Sequence, residues 1–511
     1  MLQSGTRRWW ALAALALIGV IVGLDLTVLN LALPTLAIAL HASTGQLQWF
    51  IDAYSLVLAA ALLPAGLLGD RMGRKRMLLL ALCLFGAGSL ACAYAPSAGV
   101  LVAARAVLGL GAAFLIPLSL AVLPVLFSDA ERPKAIAVVM VGTMLAYPLG
   151  PILGGWLLTR YWWGSVFLIN VPVVVLALFA VGLLMPESRG RDRPDLDIGG
   201  ILTSSAGLVA VIYGAIRAGS RGWGDPGTLG AIAAGLLLLA VFTLWERRIR
   251  HPLVDLDLFR SPGFTWGTIL TAVVSFAMFG IMFALPQYFQ GVRGVDALGS
   301  GVRLLPMIGG LLIGAPSADR LAGRAGVKGA VALGFGILAV ALGLGATTDL
   351  HSGSVFGAVW LAVGGLGLGF AMPTAMDAAL GALSPERSGV GSALIQAVRQ
   401  AAASIGVAIL GSVLNATYRG GLDLAGLPPT AATAVRESVS AGVAVARRLG
   451  SDPLLRAVQT AFVHGMDVML WVCGSLAAAG VVLALAFLPR QVRGIADKDP
   501  GRAESGHEVI V

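Results

Sequence analysis

Asp25 is the first residue of the chain whose type conflicts with its surroundings, an apolar run from Trp9 to Leu36 that also holds Thr27 and Asn30. If that run crosses a bilayer, a carboxylate deep inside it costs roughly 2.5–3.5 kcal/mol on insertion scales. It must then be protonated, paired, or turned toward a water-filled cavity. A proton and an organic cation compete for such a group, because an approaching cation favours the ionised form. That is exchange chemistry rather than bond-making chemistry. A carboxyl satisfied by Thr27 or Asn30, with no transport role, is the plainer alternative.

Asp52, behind Trp49 in the second apolar run, is a candidate second carboxylate near the outer end, with Tyr54 lining the path. Exposure at the membrane interface is its other reading. Arg105, inside the fourth run, needs an acceptor, and a backbone carbonyl would serve. Gln396, Arg399 and Gln400 stand three and four residues apart, on one helical face expected to look into a cavity. Asp377, Glu246 and Asp467 fall at the ends of apolar runs, where solvent or headgroup contact is expected.

Other chemistries are excluded by what is missing. The five histidines, His41, His251, His351, His464 and His507, are scattered over loops and ends, so no catalytic or metal-binding cluster is expected. Cys83, Cys92 and Cys473 lie in apolar segments without metal-ligand spacing. None of the four lysines follows a glycine, which rules out a phosphate-binding loop and an ATP-driven pump. No cofactor is expected.

The elements that must position these residues are membrane helices. Of 511 residues, 58% are hydrophobic and 12% charged, about half the charge usual in a soluble domain. Fourteen apolar stretches reach or approach the roughly 18 residues a span requires. They are expected at 11–35, 48–69, 77–95, 99–121, 135–158, 164–185, 198–217, 228–246, 263–289, 301–320, 328–348, 354–377, 389–414 and 467–488. The first is too long for a signal peptide and lacks a small-residue cleavage site.

Of the 35 Lys and Arg, 23 fall in loops on the side of the N-terminus, which predicts that both termini are cytoplasmic. The net charge of +9 is thereby topological, and nucleic acid is not an expected partner. An outer loop over 415–466 carries Pro428-Pro429 and then Val435, Val439 and Val443 at four-residue spacing. It reads as a short amphipathic helix or helical hairpin, or as a partly ordered linker. The tail 489–511 is charged and expected to be disordered.

The chain echoes itself at an offset of about 250 residues. Ala32-Leu33-Pro34 returns as Ala284-Leu285-Pro286, Asp70-Arg71-Met72-Gly73-Arg74 as Asp319-Arg320-Leu321-Ala322-Gly323-Arg324, and Ser128 to Arg132 as Ser384 to Arg387. Duplication predicts a six-helix half over 1–197, two inserted helices and an inner linker over 198–262, and a second half over 263–488. Substrate then binds between the halves near mid-membrane.

Four segments make the chain resemble the fourteen-span drug:proton antiporter branch of the major facilitator superfamily. They are Gly66 to Arg76 after span 2, Arg105 to Ala113 in span 4, Leu149-Gly150-Pro151-Ile152-Leu153-Gly154-Gly155 with Gly142 in span 5, and Leu24 to Pro34 in span 1. The resemblance implies an all-α polytopic fold, two six-helix halves plus two inserted helices, in a bacterial cytoplasmic membrane. It implies efflux of hydrophobic, often cationic, drugs in exchange for protons, by a chain expected to be a monomer.

In that resemblance Asp25, Asn30, Asp52, Tyr54, Arg105, Gln396, Arg399 and Gln400 are the candidates for proton and substrate handling, Arg105 as part of a proton relay. Gly66, Asp70, Arg71, Gly73, Arg74 and Asp319 are candidates for a conformational switch, their charges bonding to a neighbouring helix end in one state and releasing it in another. Gly142, Gly150, Pro151, Gly154 and Gly155 are candidates for sealing the closed state against proton leak. Their small residues allow close helix approach, and Pro148 and Pro151 make span 5 a candidate bending element. Span 13 lacks a carboxylate and carries Arg399, which speaks against dicationic substrates. A dedicated exporter of one endogenous metabolite, such as a self-made antibiotic, is the alternative on the same fold.

Overall fold

The structure is a computed structural model describing residues 5–128, 131–189, 197–249, 252–383 and 385–489. The tail beyond 489 therefore lies outside the described residues. Among the described residues fourteen long helices follow one another. The first eight are α1 (Gly5–Ala39), α2 (Thr44–Met72), α3 (Arg74–Ala93), α4 (Ala98–Ala121), α5 (Arg132–Arg160), α6 (Ser165–Leu184), α7 (Ile198–Arg221) and α8 (Pro226–Glu246). The others are α9 (Pro262–Gln287), α10 (Ala297–Arg324), α11 (Gly326–Gly345), α12 (Ser354–Leu380), α13 (Pro385–Gly420) and α14 (Asp452–Phe487).

Twelve of them are long and apolar enough to cross a membrane, and thirteen when the two arms of α2 count as one span. The remaining helix, α5, is the 29-residue element at the expected span 135–158, and part of its side chains lie outside the described residues. α2 bends by 55° between Thr44–Leu62 and Pro64–Met72, where Pro64 interrupts the backbone ladder. α10 and α11 run on from one another across a break at Gly326, at φ 80°.

Helices α1 to α6 share one apolar core, built on residues such as Leu15, Leu33, Phe50, Phe85, Leu108 and Phe167. A second core, with Phe335, Leu361, Leu410, Phe462 and Met466, joins α9 to α14. The pair α7–α8 stands beside these bodies. α8 buries only Thr228, Gly235 and Glu246, and it presents Leu236, Leu237 and Leu244 outward.

The connection between α13 and α14 is shorter than the expected 415–466. α13 continues to Gly420, where Asn415 and Arg419 bond onto α7. α14 begins at Asp452, with Ser451 capping its first turn through Leu454 N. Between them lie two short helices, Pro429–Glu437 and Val439–Arg448, with Val435, Val439 and Val443 buried. The hairpin roofs the far ends of the helices, opposite the face where α1 begins; Thr44 Oγ1 of α2 donates to Glu437 O at 2.7 Å.

Candidate functional site

α1, α2 and α4 meet at a buried ion pair. Arg105 Nη1 donates to Asp25 Oδ2 at 2.5 Å, and Arg105 Nε donates to Phe50 O at 2.9 Å. The guanidinium lies over the Tyr54 ring at 4.4 Å. Asp25 is 4% exposed, Arg105 1% and Tyr54 0%. The acceptor that Arg105 needs is thus chiefly the carboxylate, 80 residues away, with one carbonyl in support.

Neither small polar neighbour satisfies Asp25. Thr27 Oγ1 bonds back to the carbonyls of Gly23 and Leu24, and Asn30 Nδ2 bonds to Leu26 O. Breaking a pair this deeply buried by removing one member costs about 3–5 kcal/mol, because the other charge is left uncompensated.

Asp52 is also fully buried, which removes the reading as an interface residue. Its surroundings differ from those of Asp25. On a helix, positions 50 and 54 share a face and 52 lies nearly opposite, so Tyr54 turns to Arg105 while Asp52 turns to α13. Tyr54 therefore does not line a path with Asp52. Both carboxyl oxygens of Asp52 lack a hydrogen-bond partner; Ser404 Oγ of α13 approaches without closing one. One turn earlier on that face, Gln48 Nε2 donates to Val407 O and Ala408 O, each at 3.0 Å.

In front of α1 an apolar cleft opens between the two cores. Leu26, Thr27 and Asn30 form its α1 wall, Pro151 comes from α5, Met278, Phe279 and Met282 from α9, and Leu304, Met307, Ile308 and Leu311 from α10. Asn30 Nδ2 is held by Leu26 O, and its buried Oδ1 has no partner among the described residues. Three thioethers give the wall a soft, adaptable surface.

Toward the far face the two cores touch through main chain. A methyl group on Gly155 would sit 2.6 Å from Leu298 Cα of α10, and one on Gly301 of α10 would collide with Pro151 O. Gly142, Gly150 and Gly154 instead fit α5 against α1, facing Ala16, Thr27 and Val28. Gln290 Nε2, in the π-turn Tyr288–Val292 after Pro286, adds a bond across to Leu31 O at 2.9 Å.

At the N-terminal face, Arg74 Nε donates to Asp70 Oδ1 at 2.8 Å and Arg74 Nη1 to Ala121 O, at the last turn of α4. Lys75 Nζ reaches Gly182 O of α6. Gly73 adopts φ 114°, and Glu187 fills the space a side chain there would need. Gly66 has open space around it, so packing does not demand a glycine there. The side chain of Asp319 lies outside the described residues. Nearby, Glu131 accepts from Arg8 Nη1 and Nη2, each at 2.8 Å, and the Ser128 hydroxyl followed by the Arg8 charge holds its carboxyl below the ordinary value.

Gln396, Arg399 and Gln400 do not line the apolar cleft. Arg399 Nη1 donates to Gln396 Oε1 at 2.9 Å, and its Nη2 rests 3.8 Å from Met372 Sδ of α12. Gln48, Gln290, Gly301 and the cleft methionines were not singled out from the sequence. Signals for two of them were present: Gln48 is one turn from Asp52 on the same face, and Gln290 is four residues after the repeated Ala-Leu-Pro.

The model of the Major Facilitator Superfamily matches residues 15–407. The chain belongs to the Major Facilitator Superfamily. Among curated relatives of this facilitator, the tetracenomycin C resistance and export protein of Streptomyces glaucescens is 34% identical, over 94% of this chain and 91% of the relative. The multidrug efflux pump LfrA of Mycolicibacterium smegmatis is 33% identical, over 95% and 97%. A solved bacterial homologue of the human lysosomal transporter Spinster, inward-facing and unoccupied, shares the fold with TM-score 0.68 at 16% identity, covering 95% of this chain and 98% of that one.

Proposed function

We propose that this facilitator exports hydrophobic, often cationic, drugs across the bacterial cytoplasmic membrane in exchange for protons, as a monomer spanning fourteen times with both termini inside. The observation that carries the reading is the burial of two carboxyls, Asp25 and Asp52, in a chain whose two cores enclose an apolar cleft. Asp25 lies behind the cleft wall, paired to Arg105. Asp52 lies at the seam between α2 and α13, without a countercharge. The names of the relatives, a resistance and export protein and a multidrug efflux pump, agree with export.

Substrate occupies the cleft against Met278, Met282 and Met307, and a substrate N–H or O–H donates to Asn30 Oδ1. Asp52, buried at the seam without a countercharge, is the carboxyl that carries the exchanged proton, since an uncompensated buried charge is costly. Opening the far side admits water to the α2–α13 seam and lets that proton exchange. The Asp25–Arg105 pair ties α1, α2 and α4 into one block, and protonation of Asp25 loosens it. Residues 1–197 and 263–488 are the two moving halves, and Asp70 with Arg74 changes partners as they rock.

Gly155 and Pro151 keep the far side shut while the cleft is empty, and Gly142, Gly150 and Gly154 seat α5 on α1 so that they can. A dedicated exporter of one compound is the second reading, favoured by the relative named for tetracenomycin C alone.

The test uses everted membrane vesicles, a fluorescent lipophilic monocation and an imposed pH gradient, comparing wild type with Asp25→Asn and Asp52→Asn. Gradient-driven accumulation by wild type that either substitution abolishes supports the exchange. No transport of any of several unrelated lipophilic cations by wild type would leave the dedicated exporter standing. Normal coupling in both variants would remove the carboxyls from the mechanism.

A further inference from the structure

The inserted pair α7–α8 has no counterpart in a two-by-six repeat, and its attachments are unequal. On one side, three side chains of α13 reach across to successive carbonyls of α7. Ser412 Oγ donates to Ala215 O at 2.6 Å, Asn415 Nδ2 to Gly219 O at 2.9 Å, and Arg419 Nη1 to Ser220 O at 3.2 Å. Positions 412, 415 and 419 fall on one helical face, so the bonds form a ladder along the contact. Ser412 and Asn415 are buried. A methyl group on Gly219 would sit 2.9 Å from Ser412 Cα, so the two backbones approach closely where the ladder begins.

On the other side, α7 meets α2 through apolar contact. Ile212 and Ile216 pack with Trp49 and Leu56 of α2, and Ile216 Cγ2 lies 3.3 Å from where a side chain on Gly45 would begin. Apolar surfaces slide past one another at low cost, whereas a ladder of buried hydrogen bonds must break bond by bond.

The opposite end of the pair repeats the asymmetry. Asp197 caps α7 through Gly200 N and accepts from Trp245 Nε1 of α8, which locks the two helices together. Glu246 Oε2 accepts from Val254 N in the linker. That linker lays Leu258, with Val254 and Phe259, against Phe264, Ala379, Leu394 and Ile395 of the second half.

We infer that α7–α8 is a fixed part of the second half, clamped by Ser412, Asn415 and Arg419, and forms the wall along which α2 slides. The wall covers the seam that holds Asp52: Ile212 and Ile216 lie over Leu56 and Ala408, which flank Asp52 and Ser404 on their helices. A twelve-helix facilitator without the pair would leave this seam to lipid. In this chain the seam is closed by protein that moves with α13, so Asp52 stays shielded from the bilayer while α2 shifts against it.

The inference rests on the rocking of two halves proposed above, and the experiment separates the two. Spin labels are placed on outward-facing positions in a background without Cys83, Cys92 and Cys473: Leu183 in the first half, Leu485 in the second, and Leu237 on α8. Distances are measured in proteoliposomes at acidic and alkaline pH, with and without a lipophilic monocation. The expected result is a shift for 183–485 and 183–237 and an unchanged 237–485. If 183–485 shifts and 237–485 shifts as well, the inference fails while rocking stands. If 183–485 does not shift, rocking and the inference both fail.

Crosslinking gives a second readout. Ile216→Cys with Gly45→Cys, once oxidised, joins α7 to α2 and is expected to stop efflux until reductant is added. Tolerance of this crosslink overturns the sliding wall, and the clamp stands or falls with the 237–485 distance.

Discussion

Asp25 and Asp52 are both buried acids of the first six helices, and they sit in opposite electrostatic settings. Asp25 has a guanidinium at 2.5 Å, an aromatic ring stacked on that guanidinium and a carbonyl holding it in place. Asp52 has no countercharge, and the hydroxyl of Ser404 approaches it from the other half without closing a bond. A charge that is paired and bonded within one half fixes that half. A carboxyl left open at the boundary between halves is placed to respond when the boundary moves.

The largest effect expected from this contrast is that of Arg105→Ala. It leaves Asp25 uncompensated and costs about 3–5 kcal/mol, read as a lowered Tm in detergent together with lost efflux. The double variant Asp25→Asn with Arg105→Gln recovers much of the Tm, since no lone charge remains. If the single variant unfolds no earlier than wild type, the pair is not the brace described.

Asp52→Asn is expected to do the reverse, leaving the Tm close to that of wild type, because a carboxamide has nearly the shape of the carboxyl it replaces and leaves no lone charge behind. Gradient-driven efflux is lost. A large fall in Tm with coupling intact would exchange the roles of the two acids.

Gly301→Leu tests the boundary itself. The added side chain meets Pro151 O, and overpacking of this kind costs about 1–3 kcal/mol. Its signature is a passive proton leak through vesicles without substrate, and a variant as tight as wild type would show that the far seam is not closed there. Asn30→Leu is expected to raise the KM for a hydrogen-bond-donating substrate by up to about tenfold, the value of one hydrogen bond of about 1.4 kcal/mol, with little change for a quaternary cation that has no N–H.

Glu131→Gln has the smallest effect. Because Ser128 and Arg8 depress the folded-state value of this carboxyl, its contribution is present above the ordinary glutamate range and disappears as pH falls through the depressed value. The Tm difference between wild type and Glu131→Gln should vanish in acid. A difference that grew in acid would reverse the sign.

The helices were legible because bilayer thickness imposes a length that composition alone reveals. Asp25 was legible for the same reason, as a charge where none is cheap. Its partner was not, because Arg105 lies on another helix and nothing local joins positions 80 residues apart. Tyr54 was grouped with Asp52 by closeness in sequence, although two residues on a helix point nearly opposite ways.

The sharp bend in α2 at Pro64 escaped notice while prolines of α5 drew attention, since a proline kinks a helix only as far as its neighbours let it. Gln396, Arg399 and Gln400 did share a helical face. Amphipathic pattern could not tell which neighbours that face meets, and in the structure Arg399 reaches Met372 of α12.

The far seam is made of main chain at Gly155, Gly301 and Pro151, whereas the cleft wall is made of flexible side chains. Mutation therefore has free play on one surface and almost none on the other. Met278, Met282 and Met307 can be exchanged for other apolar residues and change what fits, while the closing contact is inherited unaltered. A lineage built this way acquires resistance to new compounds without having to reinvent its gate.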